Sequence, residues 1–257
     1  MLVATTKHER DRFDVGSVSL LAAYLLPLAV FLLLLAGFDN STLSRLGAED
    51  ALFENIGVAA FFIASGLFLL AFARSDASEN RLLGFRTRRN YYFLLLSALM
   101  FVCAAEEISW GQRIFGWQTP AWVAAVNVQG ETNIHNMLPF SAKDFSGTRK
   151  PFLELLLNMN RLFAIFTLAY CILLPLTVRY WDRGARLVRW AGIPVPSPAI
   201  GGLFAAVYLS FHFVVLIYGI DRANPLDELK ESVYGSIYLL IALNFARTQQ
   251  PAHAGKD

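Results

Sequence analysis

Residues 91–116, YYFLLLSALMFVCAAEEISWGQRIFG, join a long apolar run to two adjacent carboxylates, Glu106 and Glu107. An apolar run of this kind predicts a helix that crosses a membrane. If Tyr91 marks one membrane boundary, the helix rises only about 22 Å before Glu106, whereas the hydrocarbon is about 30 Å thick. Both acids are therefore expected inside the outer boundary of the bilayer, where a charge without a partner costs about 2–3 kcal/mol. This position indicates that they face a cavity or a partner.

The composition of the chain also indicates a membrane protein. Of the 257 residues, 56% are apolar and 16% are charged, and the mean hydropathy is +0.46, which is outside the usual range of soluble domains. The net charge of +2 is small and the basic residues are dispersed, so nucleic acid is not expected as a partner. Cys103 and Cys171 lie in apolar runs and are expected to be buried small hydrophobic residues, not a disulfide or a metal pair.

Six apolar runs have about the 20 residues that are needed to cross a bilayer. They lie at residues 17–37, 53–73, 91–110, 162–180, 198–219 and 230–246. Pro27 and Pro175 fall inside two of these runs, which membrane helices tolerate. The sequence contains no internal repeat, so we expect one domain over residues 1–257. The predicted fold class is all-α, an integral membrane bundle of about six transmembrane helices.

The basic residues of the connections predict the orientation of this bundle. The N-terminal tail and the second and fourth connections are rich in arginine and lysine, and the short alternate connections are poor in them. By the positive-inside rule, both termini are cytoplasmic and the long connection at 111–160 lies outside. Within that connection, Thr119 and Pro120 form a helix-start signal. We therefore expect PAWVAAVN to form a short amphipathic helix on the outer surface, with Trp122 and the valines towards lipid.

This topology brings polar residues from distant segments to one membrane face. The acids and amides concerned are Glu54, Glu106, Glu107, Asn158, Asn160, Asp221, Asp227, Glu228 and Glu231, together with Arg161 and the segment NVQGETNIHN at 127–136. We expect a polar site where they meet. Its supporting residues are predicted to be Glu54, Trp110, Gln112, Gln129, Asn133, Asn136 and Arg161.

The spacing after Glu106 predicts its neighbours. Glu106, Trp110 and Arg113 are at positions i, i+4 and i+7, so they share a face if the helix continues. Arg113 would then pair with Glu106 or hold an anionic group. The alternative is that the helix ends at Ala105 and that both acids are hydrated.

The segment 127–136 has two readings. If it is extended, its strict alternation aims five polar side chains one way. If it is helical, Glu131 and His135 are at i and i+4, a spacing that suits two metal ligands. His212, in a later span, is a third candidate ligand or proton carrier, although a lone histidine in a spanning helix often only hydrogen-bonds a neighbouring helix.

The motifs EEISWGQRIFG, a following threonine-proline pair and NVQGETNIHN resemble a group of uncharacterised bacterial polytopic membrane proteins. The resemblance covers about residues 104–137, with a weaker echo in AEDALFENIG at 48–57. It implies a multi-pass protein of the bacterial cytoplasmic membrane, and it implies no particular activity. CAAX-type intramembrane proteases share a Glu-Glu pair, but the arginine spacing differs and their paired histidine motifs are missing. Alkaline-ceramidase-like hydrolases have a closely spaced histidine pair that this chain lacks.

Two functions remain open from the sequence. The first is a metal-assisted hydrolase or transferase that acts on a membrane lipid or a lipid-linked substrate at the outer face. In it Glu106, Glu107 and Arg113 are the catalytic residues, and Glu131, His135 and His212 are ligands of a divalent metal, zinc or manganese. The alternative is a non-catalytic protein of the cell envelope that binds ions, acts as a scaffold or binds a partner. Six short helices fit a monomeric bundle or a homo-oligomer equally well.

Overall fold

The structure is a computed structural model, and it describes residues 29–30, 37–46, 52–75, 80–218 and 226–249. Within these ranges the protein is mostly helical, as expected, with one two-stranded hairpin that the all-α prediction omitted. The first predicted span, 17–37, lies almost wholly outside the described residues. Asp221 and both chain ends lie outside them as well.

The elements follow one another in chain order. Helix α1, Asn40–Leu46, precedes α2, Leu52–Arg74, and the hairpin strands β1, Arg81–Leu82, and β2, Phe85–Arg86, connect α2 to α3, Tyr91–Glu107. A 3-10 turn at Ser109–Gly111 leads to the short helices α4, Gln112–Phe115, and α5, Ala121–Ala124. A second such turn, Glu154–Leu157, precedes α6, Met159–Tyr180, α7, Asp182–Ala191, α8, Pro198–Tyr218, and α9, Asp227–Thr248.

The other five predicted spans coincide with helices. They correspond in order to α2, α3, α6, α8 and α9. Of these, α2, α6 and α8 are long and apolar enough to cross a membrane, which fits a membrane protein. The crossing of the membrane by α3 and α9, the number of spans and the orientation stay predictions.

Close packing of α2 against α3 and α9 forms the centre of the core. A Cβ atom added to Gly57 of α2 would lie 3.3 Å from the Cα of Ser232, and one added to Gly235 would lie 3.0 Å from the Gly57 carbonyl oxygen. Between α2 and α3, Ser65 and Ser97 each donate a hydrogen bond to the other's carbonyl oxygen at 2.9 Å. Small residues and hydroxyl groups are typical of contacts between membrane helices, because lipid removes the hydrophobic drive between them.

Helix α6 contains one turn of π-helix, Ala169–Leu173. Pro175 explains its position, because a proline has no N–H to donate to the carbonyl four residues earlier, that of Cys171. Gly201 of α8 packs directly on this carbonyl, since a Cβ atom there would lie 2.2 Å from the oxygen. Both cysteines are free thiols; Cys171 is buried, as expected, whereas Cys103 is only partly buried.

The connection at 111–160 is built mainly of turns, with isolated antiparallel bridges at Asn127↔Met137 and Lys143↔Arg149. Its predicted surface helix is only the four residues of α5, and Pro120 precedes the first helical turn instead of opening it. Trp122 and Val126 are exposed, as expected, whereas Val123 is buried, which corrects the prediction for this one valine. The chain turns directly after Val123, whose carbonyl oxygen accepts the N–H groups of Val126 and of the buried Asn127.

Candidate functional site

Helix α3 ends at Glu107, three residues earlier than predicted, because the backbone that follows is left-handed. Ser109 has a φ of 47°, Trp110 of 55° and Gly111 of 86°. Only the glycine adopts this conformation without strain, and each of the other two costs of the order of 1–2 kcal/mol. Surrounding contacts must therefore hold Ser109 and Trp110 in place, and strain of this kind clusters at functional sites.

The Glu106 carboxylate is the centre of those contacts. Its Oε2 atom accepts hydrogen bonds from the backbone N–H groups of Ile134 at 2.6 Å and of His135 at 2.9 Å. Its Oε1 atom accepts one from the indole N–H of Trp110 at 2.5 Å. An ionised carboxylate only accepts hydrogen bonds, and three donors converge on this one. Glu106 is thus buried with its partners, and it joins the end of α3 to the 127–136 segment.

The His135 ring lies beside the same carboxylate. Its Nδ1 atom is 3.4 Å from Glu106 Oε2, and the side chain keeps 26% of its surface exposed. The backbone N–H of His135 makes the shorter contact with Glu106, at 2.9 Å. The residue therefore serves the carboxylate mainly through its backbone, and its ring is partly open to the outside.

A second carboxylate, Glu131, lies in the same cluster. Its Oε2 atom accepts hydrogen bonds from Ser109 Oγ at 2.7 Å and from Asn133 Nδ2 at 2.8 Å. Asn133 Nδ2 is also 3.1 Å from Ser109 Oγ. Because Ser109 is fully buried, its hydroxyl needs such partners, and the strained turn is tied to the 127–136 segment a second time.

The conformation of residues 127–136 is neither of the two predicted alternatives. It is a series of turns organised by the buried Asn127, whose Nδ2 atom donates to both the carbonyl and the side-chain oxygen of Asn133 at 2.9 Å. Asn127 Oδ1 accepts from the backbone N–H groups of Gln129 at 3.0 Å and of Glu131 at 3.2 Å. The alternation of polar residues therefore does not reflect a strand: Asn127 and Asn133 are buried, whereas Gln129 is exposed.

Gln112 makes a third link between the two segments. Its Oε1 atom accepts from the backbone N–H of Thr132 at 2.7 Å, and its Nε2 atom donates to Thr119 Oγ1 at 2.8 Å. Asn136 hydrogen-bonds the side chain of Gln129 at the exposed edge. We call the whole set of Glu106, Ser109, Trp110, Gln112, Thr119, Asn127, Gln129, Glu131, Thr132, Asn133, His135 and Asn136 the polar cluster.

The structure places the remaining predicted residues elsewhere or leaves them undescribed. Glu107 is half-buried at the last position of α3, and Glu54 is buried in the first turn of α2. Arg161 lies over the Phe152 ring at 5.4 Å, while its neighbour Asn160 donates to Glu231 at 2.7 Å, which joins the starts of α6 and α9. The Arg113 side chain lies outside the described structure.

The predicted metal ligands are not brought together. Glu131 and His135 take part in different halves of the polar cluster, and the exposed His212 hydrogen-bonds the Tyr208 carbonyl of its own helix at 2.9 Å. Among the residues that the structure describes, no group of three or more His, Cys, Asp or Glu side chains is placed to hold a metal ion. Glu106 and His135 lie side by side, but both Glu106 oxygens already accept N–H donors.

Sequence reasoning missed Ser109 as a member of the polar cluster and gave Thr119 only as a helix-start signal. Asn127 and Thr132 were expected only as part of the segment 127–136 and not as site residues. A signal for Asn127 was present, because an asparagine that closes a turn commonly accepts from backbone N–H groups two residues on. Ser109 carried no such signal, since a left-handed serine is unusual. In comparisons with known proteins, no family model, curated protein or solved structure matches this chain.

Proposed function

We propose that the chain is a multi-pass protein of the bacterial cytoplasmic membrane, with six spans, both termini inside and residues 111–160 outside. The three long apolar helices support this proposal, and so does the segregation of arginines to alternate connections. The polar cluster lies at one end of α3, and the arginine-rich hairpin lies at the other.

Two phenylalanines provide a matched test of this orientation. Phe145, in the outer connection, is 58% exposed, and Phe85, in the hairpin, is 77% exposed. A membrane-impermeant thiol reagent applied to intact cells should label Phe145→Cys and not Phe85→Cys, and both after lysis. The reverse pattern would place the polar cluster inside.

At the outer face, the proposed function is non-catalytic: a rigid platform that binds a membrane lipid or a lipid-linked molecule. The observation that carries this proposal is that the carboxylates of the polar cluster are occupied by donors from its own loop. Glu106 holds two backbone N–H groups and an indole, and Glu131 holds a serine and an amide. Groups so engaged fix the loop, and they would have to break these bonds to take part in a reaction.

The connection at 111–160 also exposes an apolar and aromatic surface. Phe115 and Trp117 stack with ring centroids 5.4 Å apart, and they are 73% and 44% exposed. Trp122 is also 73% exposed. Aromatic rings are enriched at the membrane–water boundary, and a lipid tail or a lipid-linked chain is a fitting occupant for them.

Complementation of a deletion strain tests the platform, with membrane abundance checked by blot. Trp122→Ala and Phe115→Ala should lose function at normal abundance, because they remove binding surface and leave the polar cluster intact. Phe145→Ala, another exposed aromatic change in the same connection, should complement. His135→Ala should also complement, since the backbone N–H that serves Glu106 remains.

One observation favours a second candidate, an enzyme in which His135 is the general base. Its ring is partly exposed and lies 3.4 Å from a buried carboxylate, an arrangement that orients an imidazole. For complementation of the same deletion strain, this candidate predicts the opposite results. His135→Ala and His135→Gln should both abolish function at normal abundance, whereas Trp122→Ala should retain it in part.

A further inference from the structure

The hairpin and α7 form one folded unit at the end of α3 that is remote from the polar cluster. The Leu83 N–H donates to the Ala191 carbonyl at 3.1 Å, and Asn90 Nδ2 donates to the Gly192 carbonyl at 3.1 Å. Gly84, with a φ of +86°, packs so tightly on Trp190 that a Cβ atom would lie 2.4 Å from the ring. We call β1, β2 and α7 together the hairpin–helix unit.

Helix α7 turns sharply away from the preceding long helix. Trp181 is extended between α6 and α7, with φ and ψ of −131° and 100°, so α7 cannot continue along α6. Gly184 packs on Thr177 and Trp181, where a Cβ atom would lie 2.5 Å from each. The buried face of α7 consists of Gly184, Ala185, Val188 and Ala191, and it is therefore used within the protein.

The outer face of α7 combines positive charge with large apolar side chains. Arg183, Arg186 and Arg189 are exposed, and Leu187 and Trp190 are 59% and 52% exposed beside them. The helix has a single acid, Asp182, at its first position. The apolar surface extends onto neighbouring residues, namely Leu83, Phe85, Tyr180 and Trp181.

Two other arginines of this end are engaged in a different way. Arg89 donates to the carbonyl oxygens of Phe72 and Ala73 at the end of α2, and Arg74 donates to the Ala246 carbonyl of α9 at 3.1 Å. These arginines satisfy helix C-termini. The arginines on the outer face of α7 have a different position, next to tryptophan and leucine and directed away from the packed face.

We infer that the outer face of α7 lies in the membrane–water boundary and binds anionic phospholipid headgroups. Its arginines match the negative charge of the headgroups, and Leu187, Trp190 and Trp181 match the upper acyl region. Helices with this division lie in the plane of the interface, and arginine and lysine near such a surface attract anionic lipid. The inner connection thereby becomes a lipid-binding surface and not only an orientation signal.

Tryptophan quenching by brominated lipids tests this inference without a label. Trp117 and Trp122, which are exposed at the opposite end, are replaced by phenylalanine in every protein compared, and the protein with only these two changes is called the wild type of this experiment. The full-length protein is placed in nanodiscs that contain phosphatidylcholine and an equal mole fraction of either brominated phosphatidylglycerol or brominated phosphatidylcholine, with bromine near the top of the acyl chain. The wild type should be quenched more by the anionic lipid. Its binding constant for phosphatidylglycerol should be about five times that for phosphatidylcholine. High salt should reduce this preference, because it screens exposed charges.

Matched variants assign the preference to α7. In Arg183→Gln/Arg186→Gln/Arg189→Gln the preference for the anionic lipid should fall to about one. The control, Arg45→Gln/Lys143→Gln/Arg149→Gln, removes three exposed positive charges elsewhere and should keep the preference.

Either of two outcomes would overturn the inference. One is equal quenching of the wild type by both lipids at low salt. This result does not depend on how any variant folds, and it would indicate that the face binds a protein partner instead of anionic lipid. The other is a preference that persists in the variant without the α7 arginines.

Discussion

Charged side chains at the two ends of α3 have opposite sign, and at both ends they hydrogen-bond backbone groups. Near the Tyr91 end, the guanidinium groups of Arg89 and Arg74 donate to carbonyl oxygens in the last turns of α2 and α9. They lie in the last turn, where the regular i+4 N–H donors run out, and the Phe72 carbonyl also accepts from the backbone N–H and the hydroxyl of Ser75. At the other end, the Glu106 carboxylate accepts N–H groups of a loop that has no ladder partner for them.

The difference between the two ends lies in which backbone groups are left over. The C-terminal ends of helices leave carbonyls, and cations satisfy them. A loop folded back onto the bundle leaves N–H groups, and a carboxylate satisfies them. The backbone groups beside each side chain thus explain its charge. Glu106 has this structural role whether or not it also has a chemical one.

The largest expected effect is that of Glu106→Ala, which removes the acceptor at the polar-cluster end. Three N–H donors would lose their partner in a buried site, so the free energy of unfolding should fall by about 3–5 kcal/mol. Unfolding by SDS in mixed micelles measures this loss, and limited proteolysis should show new cleavage within residues 127–136.

Glu154→Ala is the control, because Glu154 is an exposed acid of the same outer connection. It should leave both the unfolding free energy and the cleavage pattern unchanged. If Glu106→Ala behaved like this control, the carboxylate would not organise the loop, and the comparison between the two ends would fail.

At the opposite end, Gly84→Ala should have the next largest effect. The substitution strains a backbone with a φ of +86° and pushes a methyl group into the Trp190 ring, so the loss should reach about 2 kcal/mol or more. Gly116→Ala is matched to it, since Gly116 has a φ of +70° and open space around it. It should cost only about 1 kcal/mol. Equal losses in thermal or SDS unfolding would show that the packing of Gly84 against Trp190 contributes nothing.

Much of the fold could be predicted from the sequence because apolar runs of about 20 residues have few structural solutions. The helices α2, α6 and α8 appear where the hydropathy placed them. The end of α3 was misplaced, because hydropathy says nothing about φ angles and Trp110 and Gly111 fit a continuing helix by composition. The hairpin was missed since its two strands are only two residues long each.

The polar cluster could be predicted only in part. The structure gives Glu106 partners and brings residues 127–136 to that end of α3, whereas the membrane depth and the topology from which we expected this stay predictions. The partners themselves were not predictable, because they are mostly backbone N–H groups, which every residue carries. The i, i+4 spacing of Glu131 and His135 suggested a metal site because it assumed a helix. The structure has turns around Asn127 in place of that helix, and the two residues make separate contacts.

A smaller effect is expected from Arg89→Gln, which tests the cation side of the comparison. The guanidinium bonds to the Phe72 and Ala73 carbonyls would be lost, and water would replace them in part because Arg89 is only half-buried. The free energy of unfolding should fall by about 1 kcal/mol. Arg86→Gln, at an exposed position of the same hairpin, should change it by less than about 0.5 kcal/mol.

The smallest expected effect lies midway between the two ends, at the serine pair of α2 and α3. Ser65 and Ser97 each donate to the other's carbonyl oxygen at 2.9 Å. Ser97→Ala removes one hydroxyl and leaves no group without a partner, because the Ser65 carbonyl lies inside a regular helix and keeps its helical N–H. Hydrogen bonds between membrane helices contribute about 0.6 kcal/mol on average, and the loss in SDS unfolding should be of that size. A loss comparable with that of Glu106→Ala would mean that polar contacts along the helices, and not the capture of leftover backbone groups at their ends, determine how this bundle is held together.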